Sequence, residues 1–314
     1  MINNVENFLS NLKRDEEGHV VLNMIDNSIL HDSFLESALR CSAPIYERKP
    51  ELVRYVKNLK EWDGISVFTD KMLPHAATVN SPVKIAWLIE PYDLLPWMYE
   101  QITELEQHYD FIFTYEESLL KRDPDKYKFH PCDCSGIEFQ SHKLHEKTKL
   151  VSMIYSEKTW LFGHRLRHII AKTLIPQMGY DKVDFFGRGT NNPLELKSEG
   201  TNPYMFQIAI ENAQRRFYFA DKIYDCFVTG TVPIYWGAPN IGDFFDMRGI
   251  LSFNHPGELK EILSSLSVEK YNSMFDGVKE NFERVKKYIR PDDLLYENIV
   301  EQMSASVESK QEIQ

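Results

Sequence analysis

The sequence lacks any long apolar run. No stretch approaches the about 18 consecutive apolar residues that a membrane-spanning helix requires. Residues 1–20 also lack the basic segment followed by an apolar segment that is typical of a secretory signal peptide. We therefore expect a cytoplasmic protein without a membrane span.

Cysteine is also scarce, with four among 314 residues. The four are Cys41, Cys132, Cys134 and Cys226. Two of them form a Cys-x-Cys pair, but the second pair that a zinc site needs is absent. His142 and His145 lie close together in sequence, again without further ligands that would complete a metal site. We expect free thiols, as in a reducing compartment.

Basic residues are outnumbered, 36 against 47 acidic residues, which gives a formal net charge of −11. This balance argues against nucleic acid as a partner, because contacts to phosphate backbones need clustered lysine and arginine. A phosphate site made of a few local cations remains compatible with it. With 43% hydrophobic residues, the chain is long enough for two globular domains.

Short apolar runs alternate with amphipathic segments along the chain, which is typical of parallel α/β folds. Strands are predicted at 65–68, 84–89, 110–113, 150–155, 183–186, 206–210, 232–236 and 250–253. Helices are predicted at 164–174, 221–229, 271–288 and 292–303. Gly230 is a suitable C-terminal cap for the second helix. We predict two α/β domains facing a cleft, with a boundary near residues 150–160.

Polar residues follow the predicted strand 206–210, where Glu211 and Asn212 come directly after its last apolar residue. Ligands of open α/β sheets gather at the carboxyl ends of strands, so both residues are candidates for a binding site. The next helix begins with Asp221 and Lys222. A lysine is unfavourable at a helix N-terminus unless an anion binds there. The alternative is a solvated Lys222 paired with Asp221 or Asp225.

Two arginines occupy a similar position in the predicted helix 164–174. Arg165 and Arg167 lie in its first turn, beside an apolar stripe at helical spacing. Cations at a second helix start favour a diphosphate ligand over the alternative, in which the arginine stems pack along the helix edge.

The stretch from Tyr204 to Gly237 resembles the α1,3-fucosyltransferases of glycosyltransferase family 10. The family's hallmark is Tyr-x-Phe, Glu-Asn, a loop tyrosine, an acidic residue followed by lysine, Gly-x-(Val/Ile)-Pro-(Ile/Val) and Gly-x-Pro. The matching residues are Tyr204, Phe206, Glu211, Asn212, Tyr218, Asp221, Lys222, Gly230, Val232, Pro233, Ile234, Gly237 and Pro239. The segment 183–188, VDFFGR, resembles the family's strand just upstream.

The resemblance implies a GT-B fold of two Rossmann-like domains. Residues 1–155 would bind the acceptor, residues 156–295 the GDP-sugar donor, and residues 296–314 would form a helix end and polar tail. Asn212, Tyr218, Asp221 and Lys222 would contact the donor, with Glu211 beside them. Arg165 or Arg167 would neutralise the diphosphate. Two positions depart from the family: Asp221 replaces the usual glutamate, and Met205 replaces a frequent lysine.

The N-terminal half resembles the family through KIAWLIEPY at 84–92 and DFIFTYEE at 110–117. On that match Glu90 corresponds to the general base, although Pro91 stands where the family usually has asparagine. Glu90 ends an apolar strand that Pro91 stops. Partial burial would raise its pKa toward the value that a base near neutral pH requires. The alternative is a solvated carboxylate at a strand end.

The expected function is inverting transfer of fucose from GDP-fucose to a glycan hydroxyl by single displacement. Asp123-Pro124-Asp125 has the Asp-x-Asp form of metal-dependent glycosyltransferases, but no apolar strand precedes it, and we interpret it as a loop without a required metal. The alternatives are another GDP-sugar, a nucleotide-sugar hydrolase, or a non-catalytic carbohydrate- or nucleotide-binding protein. The acceptor and the oligomeric state stay open. Aromatic residues that either stack on acceptor sugars or belong to the core are Trp87, Tyr92, Trp97 and Tyr99.

Overall fold

The computed structural model describes residues 5–27, 50–131 and 133–311. The chain divides into two compact units, one formed by Met1–Asp133 with Arg290–Gln314 and the other by Cys134–Ile289. Each unit contains one parallel β-sheet whose strands are connected largely through helices, which confirms the predicted α/β class. In the described part of the chain, no helix is both long and apolar enough to cross a membrane.

The first unit has a six-stranded sheet in the order β2-β1-β3-β4-β5-β6, with every neighbouring pair parallel. Its strands are β1 Val20–Ile25, β2 Val53–Lys57, β3 Ile65–Thr69, β4 Val83–Trp87, β5 Phe111–Thr114 and β6 Tyr127–Phe129. Its first helices are α1 Val5–Ser10, α2 Pro96–Leu105 and α3 Glu117–Arg122. Strands β1, β3 and β5 are buried along their whole length. Because β1, β3 and β4 are adjacent and parallel, their carboxyl ends lie at the same edge of this sheet.

The second unit has a five-stranded parallel sheet in the order β11-β10-β9-β7-β8. Its strands are β7 Lys149–Ile154, β8 Val183–Phe186, β9 Tyr204–Ile210, β10 Val232–Trp236 and β11 Leu251–Ser252. Its helices are α4 Phe162–Ile169, α5 Ile175–Met178, α6 Asp221–Thr229, α7 Pro256–Ser265 and α8 Val268–Val285. All seven residues of the central strand β9 are buried, so this strand places the residues that follow it at the end of a fully covered sheet.

The predicted domain boundaries at 155/156 and 295/296 differ from the observed ones. Strand β7 pairs with both β8 and β9, so it belongs to the second sheet although it precedes residue 156. The second unit begins earlier still, at Cys134. Helix α9, Pro291–Gln311, belongs to the first unit. There Asp292 accepts a hydrogen bond from the Tyr55 hydroxyl at 2.9 Å. Asp293 accepts the N–H groups of Glu51 and Leu52 just before β2. These three hydrogen bonds attach the C-terminal segment to the first sheet.

The eight predicted strands and the four predicted helices are all present in the structure. Helix α6 ends at Gly230, which has a left-handed φ of 74° and donates its N–H to the last turn, as predicted. The predicted helix 164–174 starts two residues earlier and continues through a π-helical turn, Ile170–Leu174. Strands β1, β2 and β6 and helices α1, α2, α3, α5 and α7 were not predicted.

Candidate active site

The candidate donor site is built at the carboxyl end of β9. The Glu211 N–H donates to the Trp236 carbonyl at 2.8 Å, which extends the β9–β10 pairing by one residue. Gly163 at the start of α4 donates its N–H to the Asn212 carbonyl at 3.1 Å. A Cβ on Gly163 would lie 1.9 Å from the Glu211 carbonyl oxygen. Glycine is therefore required for α4 to approach the strand end this closely.

Of the two candidate arginines, the structure brings Arg167 to this strand end. Its guanidinium is buried and donates to the Ile210 carbonyl and, at 2.9 Å, to the Asn212 side chain. Arg165 is exposed and donates to the carbonyls of Thr159 and Trp160 instead. Arg167 and Asn212 therefore belong to one hydrogen-bonded group, whereas Arg165 binds the preceding loop.

Lys222 lies between two carboxylates at the start of α6. Its Nζ is 2.5 Å from an oxygen of Asp221 and 3.4 Å from an oxygen of Glu211. The other Glu211 oxygen accepts the Ala220 N–H at 3.0 Å. Lys222 does pair with Asp221, as in the alternative of a solvated lysine. However, its side chain is only 22% exposed, so it is not solvated. It is therefore a largely desolvated cation at a helix N-terminus.

Glu211 was expected to face a ligand, but its side chain is buried inside the unit. Its side chain has no solvent exposure, and both of its oxygens are directed at Ala220 and Lys222. Burial raises the pKa of its carboxyl, and the Lys222 ammonium opposes that rise. Glu211 thus acts on the site by holding the loop and the lysine in place.

Sequence reasoning missed a third cation in this group, Lys197. Its Nζ contacts Asp221 at 2.6 Å and Asp225 at 2.8 Å. Asp225 is buried and also accepts the Ser135 hydroxyl and the Gly136 N–H. Asp221 and Asp225 lie four residues apart on one face of α6. That spacing indicates a shared cation, but it does not identify a lysine at the start of a distant 3₁₀-helix, Lys197–Gly200.

The charged side chains of this group shift one another's pKa values. Burial disfavours the charged form of Asp221, but the ammonium groups of Lys197 and Lys222 outweigh burial and hold its pKa well below the usual range. The pKa of Lys222 is raised because Asp221 and Glu211 outweigh its desolvation. Burial lowers the pKa of Arg167, against the pull of nearby Glu211 and Asp221. Both cations nevertheless stay charged at neutral pH.

Two further side chains join the group. Tyr218 is buried, and its hydroxyl is close enough to Arg167 to affect the arginine's pKa. His164 was not predicted; its Nδ1 accepts the Leu161 N–H at 3.2 Å. Burial and then the charges of Arg167, Lys158 and Lys222 lower the pKa of His164 to about 4. The imidazole is therefore neutral at pH 7. Its position three residues before Arg167, on the same face of α4, was the available signal.

In the first unit, Glu90 follows β4 at the carboxyl edge of the sheet. The expectation that Glu90 is partly buried is wrong, since its side chain is exposed. Its backbone is held firmly all the same. The Tyr99 hydroxyl donates to the Glu90 carbonyl at 2.6 Å, and the Glu90 N–H donates to Asp70 at 3.3 Å.

The aromatic residues considered for acceptor binding fall into two groups. Trp87 and Tyr99 are buried and belong to the core, so they offer no face to a sugar. Trp97 is exposed and Tyr92 is half-buried. Only these two remain candidates for stacking.

The remaining motifs have structural roles. Asp123 Oδ1 accepts the N–H groups of Asp125 and Lys126, so Asp-Pro-Asp forms a turn, as predicted. The ring nitrogens of His142 and His145 hydrogen-bond to the backbone carbonyls of Ile137 and Ser141. Met205 packs in the core of the second unit. Cys134 and Cys226 are buried free thiols, whereas Cys41 and Cys132 lie outside the described residues.

Comparison with solved structures shows which fold the chain has. The chain aligns with the structure of an α1,3-fucosyltransferase with GDP-fucose at a TM-score of 0.54, covering 94% of this chain and 95% of that one, at 14% identity. At that identity the likeness concerns the fold. With two parallel α/β units, the protein has the GT-B fold of nucleotide-sugar glycosyltransferases.

The family follows from sequence. Residues 144–299 match the model of the glycosyltransferase family 10 (fucosyltransferase) C-terminal domain, and the chain belongs to this family. Over 88 residues it is 31% identical to the α-(1,3)-fucosyltransferase FucT of Helicobacter pylori, a match covering 27% of this chain and 18% of that protein. Over 122 residues it is 28% identical to GDP-fucose protein O-fucosyltransferase 3 of Mus musculus, covering 33% and 24%. The matches thus span about a quarter or less of these relatives' length.

Proposed function

We propose that this protein is an inverting fucosyltransferase that uses GDP-fucose as its donor and forms an α1,3 linkage to a glycan hydroxyl. The observation that carries the proposal is the joint position of Arg167, Asn212 and Lys222 at the carboxyl end of β9. This group lies within the segment that matches the fucosyltransferase family. The named activities of H. pylori FucT and of the GDP-fucose-bound structure support the choice of sugar and linkage.

We assign the donor's diphosphate to Arg167 and Lys222. Each is a cation largely removed from water, where its charge acts more strongly on a phosphate than it would at the surface. The N-terminus of α6 adds unpaired N–H groups of the same polarity. Asn212, Tyr218 and Asp221 surround these cations and are the proposed contacts to the remaining donor groups. Bound GDP-sugar would replace Asp221 as one counter-ion of Lys222.

The proposed reaction is a single displacement. The Glu90 carboxylate takes the proton of the acceptor hydroxyl as that oxygen attacks the anomeric carbon of fucose. The bond between the anomeric carbon and the β-phosphate oxygen breaks, and its electron pair leaves with GDP. Arg167 and Lys222 stabilise the negative charge that develops on the leaving phosphate. One displacement inverts the anomeric configuration, so a second carboxylate as nucleophile is not required.

We further propose that the reaction needs no metal ion. Arg167 and Lys222 supply the positive charge that a divalent cation provides at the diphosphate in other glycosyltransferases.

The acceptor is the open part of the proposal. H. pylori FucT and the mouse protein O-fucosyltransferase suggest testing both glycan and polypeptide hydroxyls, with glycans expected to react.

The test is a panel of GDP-sugars in binding and turnover assays, comparing wild type with Lys222→Ala. Lys172→Ala is the matched control, an exposed lysine of the same unit. We expect turnover of GDP-fucose, at least a tenfold weaker donor affinity for Lys222→Ala, and no change for Lys172→Ala. Turnover of another GDP-sugar would keep the mechanism and change the substrate. Donor binding without turnover would favour a non-catalytic protein, and absence of any GDP-sugar binding would refute the donor site.

A further inference from the structure

The backbone that carries Glu90 lies just beyond the hydrogen bonds of its sheet. The Leu88 N–H makes the last bond to β5, donating to the Phe113 carbonyl at 3.0 Å. The next two N–H groups donate to a side chain instead. Asp70 Oδ1 accepts the Ile89 N–H at 2.8 Å and the Glu90 N–H at 3.3 Å. One carboxylate oxygen thus satisfies the two backbone donors that the sheet has ceased to pair.

The other side of Glu90 is fixed by tyrosines. Its carbonyl accepts the Tyr99 hydroxyl at 2.6 Å, and the Tyr99 and Tyr115 hydroxyls lie 3.1 Å apart. Tyr115 in turn accepts the Tyr92 N–H at 2.7 Å. Side chains therefore hold the backbone before and after Glu90, while Glu90 as a residue is exposed.

The backbone conformation of Asp70 in this arrangement is unusual. Its φ is 39°, in the left-handed region that non-glycine residues rarely occupy. Such conformations are strained and persist where the surroundings impose them, frequently at functional sites. The residue stands directly after β3, the strand adjacent to β4, so its side chain is within reach of the turn that follows β4.

Two other carboxylates, Glu90 and Asp26, are close enough to act on Asp70. Asp26 follows β1 and accepts the Thr69 hydroxyl at 2.6 Å. Burial raises the pKa of Asp70 to about 7, and the charges of Glu90 and Asp26 add to the rise against the two N–H bonds. At neutral pH a substantial fraction of Asp70 is therefore uncharged. An asparagine, which keeps the acceptor oxygen without the charge, is a close substitute for that form.

We propose that Asp70 is a positioning residue that fixes the Ile89–Glu90 backbone and thereby presents the Glu90 carboxylate to the acceptor hydroxyl. This inference rests on the proposed role of Glu90 as the general base. A displacement of a reacting group by about 1 Å can lower turnover on the order of 10²-fold without altering substrate binding elsewhere. The acceptor oxygen of Asp70 is the feature that matters, so the amide should replace it and a residue without it should not.

The experiment compares Asp70→Gly with Asp70→Asn in fucose transfer. Glycine adopts a φ of 39° without strain, so Asp70→Gly removes the side chain while leaving the backbone conformation accessible. Asp110→Ala is the matched control, because Asp110 accepts the Lys84 N–H at 2.8 Å at the opposite end of β4. Thermal melting accompanies each variant. The readouts are kcat, the KM values for donor and acceptor, and GDP-fucose affinity.

We expect Asp70→Gly to lower kcat about 10- to 100-fold with GDP-fucose affinity unchanged. Asp70→Asn should stay within about threefold of wild type, and Asp110→Ala should resemble wild type. Equal losses for Asp70→Gly and Asp70→Asn, or wild-type kcat for Asp70→Gly while Glu90→Gln is inactive, would overturn the positioning role alone. Wild-type turnover by Glu90→Gln, or no transfer by the wild type, would instead be the failure of the proposed function.

Discussion

Replacing Lys197 with methionine removes the ammonium group that Asp221 and Asp225 share on α6. Asp221 keeps Lys222 as a partner at 2.5 Å. Asp225 does not, since its contacts after the substitution are the neutral Ser135 hydroxyl and Gly136 N–H. The side chain of Asp225 is only 5% exposed, so Lys197→Met leaves a buried carboxylate without a cation.

Removing one partner of a buried ion pair costs about 3–5 kcal/mol. Lys197 is about one-third exposed and Asp225 keeps two hydrogen-bond donors, so we expect about 2–3 kcal/mol at pH 8. Burial raises the pKa of Asp225 in the folded wild type, and Lys197 opposes that rise. Without Lys197 the folded state binds a proton more readily than the unfolded state does. Stability then falls as pH rises above the unfolded pKa of about 3.9, so the deficit should shrink at pH 5.

Thermal melting at pH 5 and pH 8 measures this effect. A loss of 2–3 kcal/mol corresponds to a melting temperature lower by about 5–10 °C at pH 8. Lys197→Met combined with Asp225→Asn is the control, because the neutral amide removes the unpaired charge and should recover much of the loss. Wild-type melting of Lys197→Met at pH 8, or an equal deficit at both pH values, would refute the reasoning.

Three further predictions concern the donor site. Gly163→Ala should weaken GDP binding at least tenfold, since its Cβ would meet the Glu211 carbonyl at 1.9 Å and displace α4; calorimetry giving the wild-type Kd would contradict the close approach. Arg167→Met should weaken GDP binding in the same titration, whereas Arg165→Met should stay within about twofold of wild type, because Arg165 binds loop carbonyls. Turnover should persist after treatment with EDTA, and its loss with recovery on adding Mg²⁺ or Mn²⁺ would overturn the metal-free mechanism.

Local pattern predicted β3, β4 and β5 of the first sheet and all five strands of the second, but it missed β1, an interior strand that is buried along its whole length. The run before Glu211 alternates and ends in polar residues, and Gly230 marks the end of α6, so both features were readable along the chain. Strand β6 has three residues and β2 lies at a sheet edge, where burial leaves a weaker pattern. The domain boundary was misplaced because pairing of β7 with β9 connects residues far apart in sequence.

The candidate site was predictable where neighbours in sequence are neighbours in space. Asp221 and Lys222 adjoin each other, and Arg167 was identified as one of two arginines in a helix start. Lys197 was not, because it contacts α6 from a 3₁₀-helix that begins 24 residues before Asp221, and no local pattern predicts that contact. The environment of Glu90 was misjudged for a similar reason. An apolar strand predicts burial up to its end, but the exposure of the next side chain depends on the turn that Asp70 and Tyr99 fix.

The most direct test of the central claim is single-turnover transfer from GDP-fucose by Glu90→Gln, with GDP-fucose affinity measured in parallel and Glu104→Gln, an exposed glutamate of α2, as control. We predict that Glu90→Gln slows transfer about 10²- to 10⁴-fold at unchanged donor affinity. The wild-type product should carry fucose with the anomeric configuration inverted relative to the donor. Transfer by Glu90→Gln at the wild-type rate, or a product with retained configuration, would contradict the account.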